Sequence, residues 1–270
     1  MLVLIFALIG LLVAVPVGLN ASLWLALGAF LGAFLLQALL VFLFLLYLCS
    51  RVDQNVPQEQ DDPLYRKMAD LILESVLPIL RIHIKKTGME KVPGEGRFLL
   101  VCNHCSDSDP IILMREFRKY KMAFISKKEN STMFVIGPMM HKLQCQLINR
   151  ENDREALKTI LKCIQILKED RASVAVFPEG GILTEDGKLH HFRPGVFKIA
   201  QKAGVPVVVC TLKNTLPVVP NILHLRASYV ELDVLGVISA ETVKELKTVD
   251  IAEMAHAMMA QNLGPELVSD

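Results

Sequence analysis

Between Met1 and Ser50 there is no Asp, Glu, Lys or Arg, although the 270 residues contain 29 Lys and Arg and 28 Asp and Glu. Of those first 50 positions, 41 are apolar. So long a stretch without charge excludes a simple cytosolic enzyme, a disordered chain and a small disulfide scaffold. An excess of one sign is also missing: the net charge is +1. Nucleic acid as the main partner would need a concentrated basic surface. Zinc spacing is absent too. Cys102 and Cys105 form one CxxC, and Cys145, His190 and His191 could supply further ligands, but none stands at a zinc-site interval. Haem attachment is excluded because Ser106 follows Cys105. The six cysteines are scattered, and in a cytoplasmic domain they stay reduced.

Two hydrophobic runs flank Asn20-Ala21-Ser22. Leu23 to Leu48 covers 26 residues. As a helix it measures about 39 Å, against a hydrocarbon core of roughly 30 Å. Trp24 and Tyr47 stand near its ends, where aromatic rings favour the interface. Gln37 is its one strongly polar side chain, tolerable if it faces another helix. Met1 to Val17 is shorter and contains Gly10 and Pro16. A short span, a re-entrant segment and a signal peptide compete there, and the missing positive n-region weighs against the last. The pattern predicts a transmembrane helical hairpin over residues 1–50 with both ends on one side. Arg51, Arg66 and Lys67 place that side in the cytoplasm.

Residues 51–62 (RVDQNVPQEQDD) hold four acids, one Arg and Pro57, and read as a linker. The rest, 63–270, then carries +4, compatible with an anionic lipid surface. Pro63 to Lys86 places Leu64, Met68, Leu71, Ile72, Val76 and Leu80 at mostly helical spacing, with a kink at Pro78. Such a helix suits a membrane surface or the protein core equally. Farther on, apolar runs at 97–102, 122–126, 145–149, 173–177, 205–210 and 228–235 read as strands. Amphipathic stretches at 110–118, 153–168, 194–202 and 250–262 read as helices. The alternation predicts an α/β fold, a mixed and largely parallel sheet flanked by helices.

Chemistry concentrates in Val101 to Pro110 (VCNHCSDSDP), which follows a strand and precedes a helix. That is where open α/β sheets place ligands. His104 suits a general base, and Asp109 can orient its ring and stabilise the imidazolium. On a regular helix a separation of five residues would turn the two about 140° apart, so they meet only across a turn, which Ser106-Asp107-Ser108 favours. Asp109 before Pro110 is equally a helix start, and His104 equally a structural histidine. Phe177-Pro178-Glu179-Gly180-Gly181 follows another strand. Its glycines let backbone approach a substrate and Glu179 offers a carboxylate, although any tight turn uses such residues. Arg150 can bind phosphate through two nitrogens, while Lys127, Lys128 and Arg193 add charge or simply face solvent.

Together these blocks resemble the glycerolipid acyltransferase family that includes 1-acylglycerol-3-phosphate acyltransferases. His104 to Asp109 matches its HX4D motif within an NHxSxxD context, Leu147 to Arg150 its second block, and Phe177 to Gly180 its FPEG block. Phe192 to Phe197 is similar to the FKxGxF stretch, and Val205 to Val208 to the VPxV block. The resemblance covers roughly residues 98–212. Three positions depart from it: Ile182 replaces a frequent phosphate-binding Arg, Val209 a second Pro, and Cys105 a frequent Gln.

The resemblance implies transfer of a fatty acyl group from a thioester, acyl-CoA or acyl carrier protein, to the hydroxyl of 1-acylglycerol-3-phosphate. His104 and Asp109 would be catalytic. Arg150, with Lys128 and Arg193, would hold the acceptor phosphate, and Glu179 and Gly180 would shape its site. Backbone N–H groups near the helix starting at Pro110 are an oxyanion candidate. No metal or organic cofactor is implied beyond the thioester cosubstrate; the other partners are membrane lipid and the lysophospholipid. Three rivals stand beside this: a lysophospholipid acceptor with a head group, a hydrolase with Cys105 or Ser106 as nucleophile, and a catalytically inert membrane-anchored lipid-binding protein.

Overall fold

The structure is a computed structural model that describes residues 2–149, 152–184 and 186–269. It begins with two antiparallel helices, α1 (Leu2–Asn20) and α2 (Leu23–Ser50), both long and apolar enough to cross a membrane. Ser22 caps α2, its side chain accepting from Leu25 N at 3.3 Å. Gly10 lets the helices close: a Cβ there would lie 2.9 Å from the Phe30 ring. Phe6 meets Phe34 edge-on at 5.7 Å. Gln37 faces α1, with Nε2 donating to Ala33 O at 3.0 Å and to Phe6 O at 3.3 Å. Its polar group is therefore satisfied within the hairpin.

Next come α3 (Pro63–Ile79), β1 (Ile82–Thr87), β2 (Leu99–Cys102), α4 (Asp109–Glu116), β3 (Met122–Lys127), α5 (Ile136–Lys142) and β4 (Gln146–Ile148). They are followed by α6 (Asp153–Lys168), β5 (Ser173–Val176), α7 (Lys198–Ala203), β6 (Val207–Lys213), α8 (Val218–Leu223), β7 (Ser228–Ile238), α9 (Ala240–Glu245) and α10 (Thr248–Leu263). The strands form one sheet ordered β1-β7-β6-β2-β5-β3-β4, in which, among the described residues, only the β6–β7 pairing is antiparallel.

Alternate residues of the central strands enter two cores. Leu100, Cys102, Ala175, Val208, Cys210 and Leu212 pack on one face, with α3, α4 and α5. Leu99, Val101, Val174, Val176, Val207 and Val209 pack on the other, with α6, α7 and α10. Burial on both faces explains why these strands are continuously apolar.

One expected helix is shorter than its pattern. α3 ends at Ile79, one residue past Pro78, and Ile82–Thr87 is instead the edge strand β1, paired in parallel with β7. Ile82 and Ile84 alternate with His83 and Lys85 in the two-residue period of a half-buried strand, a pattern too short to read beside a long helical one. α3 buries Tyr65, Ala69 and Leu77 in the protein core rather than lying on a membrane by that face. Residues 51–62 have no helix or strand, yet they are strapped down. Gln144 Nε2 donates to Gln58 O at 2.8 Å and Arg171 Nη1 to Glu59 O at 2.7 Å. Arg66 is buried, paired with Asp61 at 2.5 Å and donating to Met122 O at 3.0 Å. It is a structural cation, so the charge argument for orientation narrows to Arg51 and Lys67.

Candidate active site

β2 and β5 are parallel neighbours, with Val101 opposite Val176. Three residues beyond that rung the two chains reach His104 and Glu179 at the carboxyl edge of the sheet. Glu179 bridges them: Oε1 accepts His104 N at 2.8 Å, and Oε2 accepts His190 N at 2.9 Å. Burial pushes its carboxyl up to about 7, while the two backbone donors pull the other way. The His104 ring lies flat on Phe177, with centroids 3.9 Å apart and planes at 16°.

After His104 the chain turns tightly into α4 around Asp109. A single oxygen of this fully buried residue, Oδ2, accepts from His104 Nδ1 at 2.9 Å, Cys105 N at 2.7 Å and Ser106 N at 2.9 Å. The turn that the spacing requires is therefore built by the carboxylate itself. With Nδ1 facing Asp109, the proton sits on Nδ1 and Nε2 is the basic nitrogen. Nε2 has no hydrogen-bond partner among the described residues, and the side chain is 15% exposed. A buried carboxylate, an oriented imidazole and a ring nitrogen left open are the arrangement a general base requires. The N–H groups of Cys105 and Ser106 are committed to Asp109, which removes them as oxyanion donors.

Neither Cys105 nor Ser106 has the geometry of a nucleophile. Burial, with the Asp109 charge second, pushes the Cys105 thiol up to about 12, so it is neutral at physiological pH. Its Sγ donates to Gly187 O at 3.4 Å. Ser106 Oγ, buried, is engaged by Ser108 N at 3.3 Å and Ser108 Oγ at 2.9 Å. Neither side chain is hydrogen-bonded to the His104 ring.

Gly180 and Arg193 come together. Arg193 N donates to Pro178 O at 2.8 Å, and a Cβ on Gly180, whose φ is +91°, would lie 2.6 Å from Arg193 Nε. The glycine makes room for the guanidinium of Arg193, an exposed residue. Lys128 is exposed just after β3, on the same edge but beyond β5, and no hydrogen bond or ion pair joins it to His104, Glu179 or Arg193 among the described residues. Arg150 lies outside the described residues. The zinc candidates do not converge: Cys145 Sγ accepts from Phe124 N at 3.3 Å behind the sheet edge, and no group of three or more His, Cys, Asp or Glu is placed to hold a metal among the described residues. Sequence reasoning missed His190 as the second anchor of Glu179. No motif signals it, because the contact is made by its backbone N–H.

Residues 83–213 match the profile of the Acyltransferase family. Over 166 residues the chain is 33% identical to a chloroplastic 1-acyl-sn-glycerol-3-phosphate acyltransferase of Arabidopsis thaliana, covering 59% of this chain and 45% of the relative. Over 212 residues it is 31% identical to a 1-acyl-sn-glycerol-3-phosphate acyltransferase of Chlamydomonas reinhardtii, covering 76% and 61%. The chain thus spans about half the length of these curated relatives. The crystal structure of the 1-acyl-sn-glycerophosphate acyltransferase PlsC from Thermotoga maritima superposes with a TM-score of 0.60 at 21% identity, over 82% of this chain and 87% of that one. At that identity the likeness bears on the fold alone.

Proposed function

We propose that this chain, whose residues 83–213 match the Acyltransferase family, is a membrane-bound glycerolipid acyltransferase. It moves a fatty acyl group from a thioester donor to the free hydroxyl of 1-acylglycerol-3-phosphate, giving phosphatidic acid. The observation that carries this reading is the His104 Nδ1–Asp109 Oδ2 contact of 2.9 Å with Nε2 left open. Nε2 removes the hydroxyl proton as the acceptor oxygen attacks the thioester carbonyl. Asp109 stabilises the imidazolium that forms. When the tetrahedral intermediate collapses, the C–S bond breaks and the imidazolium returns its proton to the departing sulfur. A positioned base contributes about 10²–10⁴-fold, the remainder coming from proximity and charge stabilisation.

In this scheme Arg150 and Arg193 hold the acceptor phosphate, with Lys128 at the outer margin, and Glu179 and Gly180 shape the site from below. Acyl-CoA or acyl carrier protein supplies the thioester. The helices α1 and α2 keep the enzyme at the bilayer, with the α/β part on the cytoplasmic side. Each CH₂ drawn from lipid into water costs about 0.8 kcal/mol, so an acceptor with a long chain is best met at the membrane surface.

A second reading keeps the chemistry and changes the acceptor. Ile182, half-buried where many family members place an Arg, favours a lysophospholipid whose phosphate is already esterified to a head group. One assay tests both. Purified full-length protein is given acyl-CoA or acylated carrier protein and a panel of lysolipids, with His104→Ala as control. Transfer to 1-acylglycerol-3-phosphate that disappears in His104→Ala supports the first reading; transfer only to head-group acceptors supports the second. Wild-type turnover in His104→Ala overturns the base assignment, and no transfer by either protein leaves the inert lipid-binding protein.

A further inference from the structure

Met133, Phe134 and Ile136 lie in and just after the turn between β3 and α5, and they are 48%, 62% and 42% exposed. The turn itself is firmly held. Met133 N donates to Asn130 O at 3.3 Å and Gly137 N to Met133 O at 2.8 Å. Ser131 Oγ and Thr132 Oγ1 donate to Lys128 O and Glu129 O, each at 2.7 Å. A Cβ on Gly137 would lie 2.1 Å from Ser131 O, so the chain doubles back where only glycine fits. The backbone is pinned while three large apolar side chains within four positions are left uncovered, which marks a surface with a partner rather than scattered surface residues.

The neighbours identify that partner. The same turn is docked on the end of α2: Cys49 Sγ donates to Val135 O at 3.8 Å and Gln54 Nε2 to Ser131 O at 3.2 Å. Tyr65 Oη fixes the same end by donating to Leu48 O at 2.8 Å. From Leu23 to Cys49 the helix rises about 39 Å, against roughly 40–45 Å for a bilayer with its head groups. The turn is therefore level with the interface, as is exposed Tyr47 half a turn earlier. Lys127 and Lys128 are exposed at its start, with Glu129 beside them. Lysine ammonium groups at this depth meet lipid phosphates.

We propose that Met133, Phe134 and Ile136 form an apolar wedge seated in the bilayer interface beside α2, with Lys127 and Lys128 on the phosphate layer. This second membrane contact turns the carboxyl edge of the sheet, where β3 lies next to β5, toward the lipid. The wedge rests on the membrane reading of α1 and α2; its role in presenting a lipid acceptor rests also on the proposed acyl transfer.

The test uses the full chain in phosphatidylcholine vesicles containing a fraction of phosphatidic acid. All six native cysteines are buried, so an environment-sensitive fluorophore can be placed at Phe134→Cys, with Lys244→Cys on α9 as the reference. The expected result is blue-shifted emission at 134, quenched by lipids spin-labelled near the head group, with neither effect at 244. Water-like emission at 134 overturns the wedge. A shift that follows protein concentration rather than lipid assigns the face to a second copy of the chain and also overturns it. Independently, Phe134→Asp lowers transfer to long-chain acceptor in vesicles by about tenfold and leaves transfer to a short-chain, water-soluble acceptor within about twofold. An equal loss on both overturns the presentation role. If the wild type transfers nothing, the functional reading has failed while the fluorescence still decides the wedge.

Discussion

The side chain of Asn103 continues the ladder between β2 and β6 through Leu212. Nδ2 donates to Leu212 O at 2.9 Å, and Oδ1 accepts Leu212 N at 2.8 Å, just beyond the last paired residues, Cys102 and Cys210. A primary amide carries a donor and an acceptor side by side, as a backbone peptide does, so it can fill a rung of the ladder. The strand can then end while the seam stays closed, and His104 leaves it in a fixed direction.

Asn103→Asp keeps the shape and loses the donor. It leaves Leu212 O unpaired and buries a carboxylate, a cost of about 1–3 kcal/mol for the unmade bond before any charge penalty. The expected outcome is a lower melting temperature of the detergent-solubilised full chain and reduced acyl transfer at temperatures where it stays folded. Unchanged melting would show that the side-chain rung contributes nothing.

Glu179 links stability to pH. Its carboxyl titrates at 4.5 in the open chain and at about 7 when folded, because burial disfavours the charge. Below 4.5 both states hold the proton; between the two values only the folded state does. Its contribution is therefore complete at low pH and lost as pH rises through about 7, by at most on the order of 3 kcal/mol. Glu179→Gln cannot titrate, so its melting temperature, referred to wild type at each pH, gains relative to wild type between pH 5 and 8. A constant difference across that range would contradict the assignment.

Gly180→Ala places a Cβ against Arg193 and forces a left-handed backbone on a residue that disfavours it. Such strain costs about 1–2 kcal/mol. The guanidinium must move, so KM for a phosphate-bearing acceptor rises more than KM for the acyl donor. Equal changes in both would separate Arg193 from acceptor binding.

Cys105→Ala tests the discarded nucleophile. The thiol is neutral and donates to Gly187 O, so the variant retains transfer with a modest loss of stability. A loss comparable to that of His104→Ala would revive covalent chemistry.

Legibility in the sequence followed the range of each interaction. The span 153–168 is read to the residue as α6, because its amphipathic period and the Asn152 cap are local. Helices α5, α8 and α9 span only six or seven residues, too few to show a period, and were missed. His104 and Asp109 could be paired in advance because they share one turn. The Glu179 bridge could not, since it joins His104 to a residue 75 positions away and then to a backbone N–H at position 190.

By itself the sequence determined the two apolar helices, the doubly buried strands and the residues able to do acid–base work, since each depends on chemistry within a few positions. The tertiary structure decided what the sheet order brings together. It set β5 beside β2, laid Arg193 over Gly180, left Lys128 apart and paired β7 with β6 in antiparallel sense. The physical reason is that contacts between distant segments depend on how whole layers pack, and no local period or spacing encodes that.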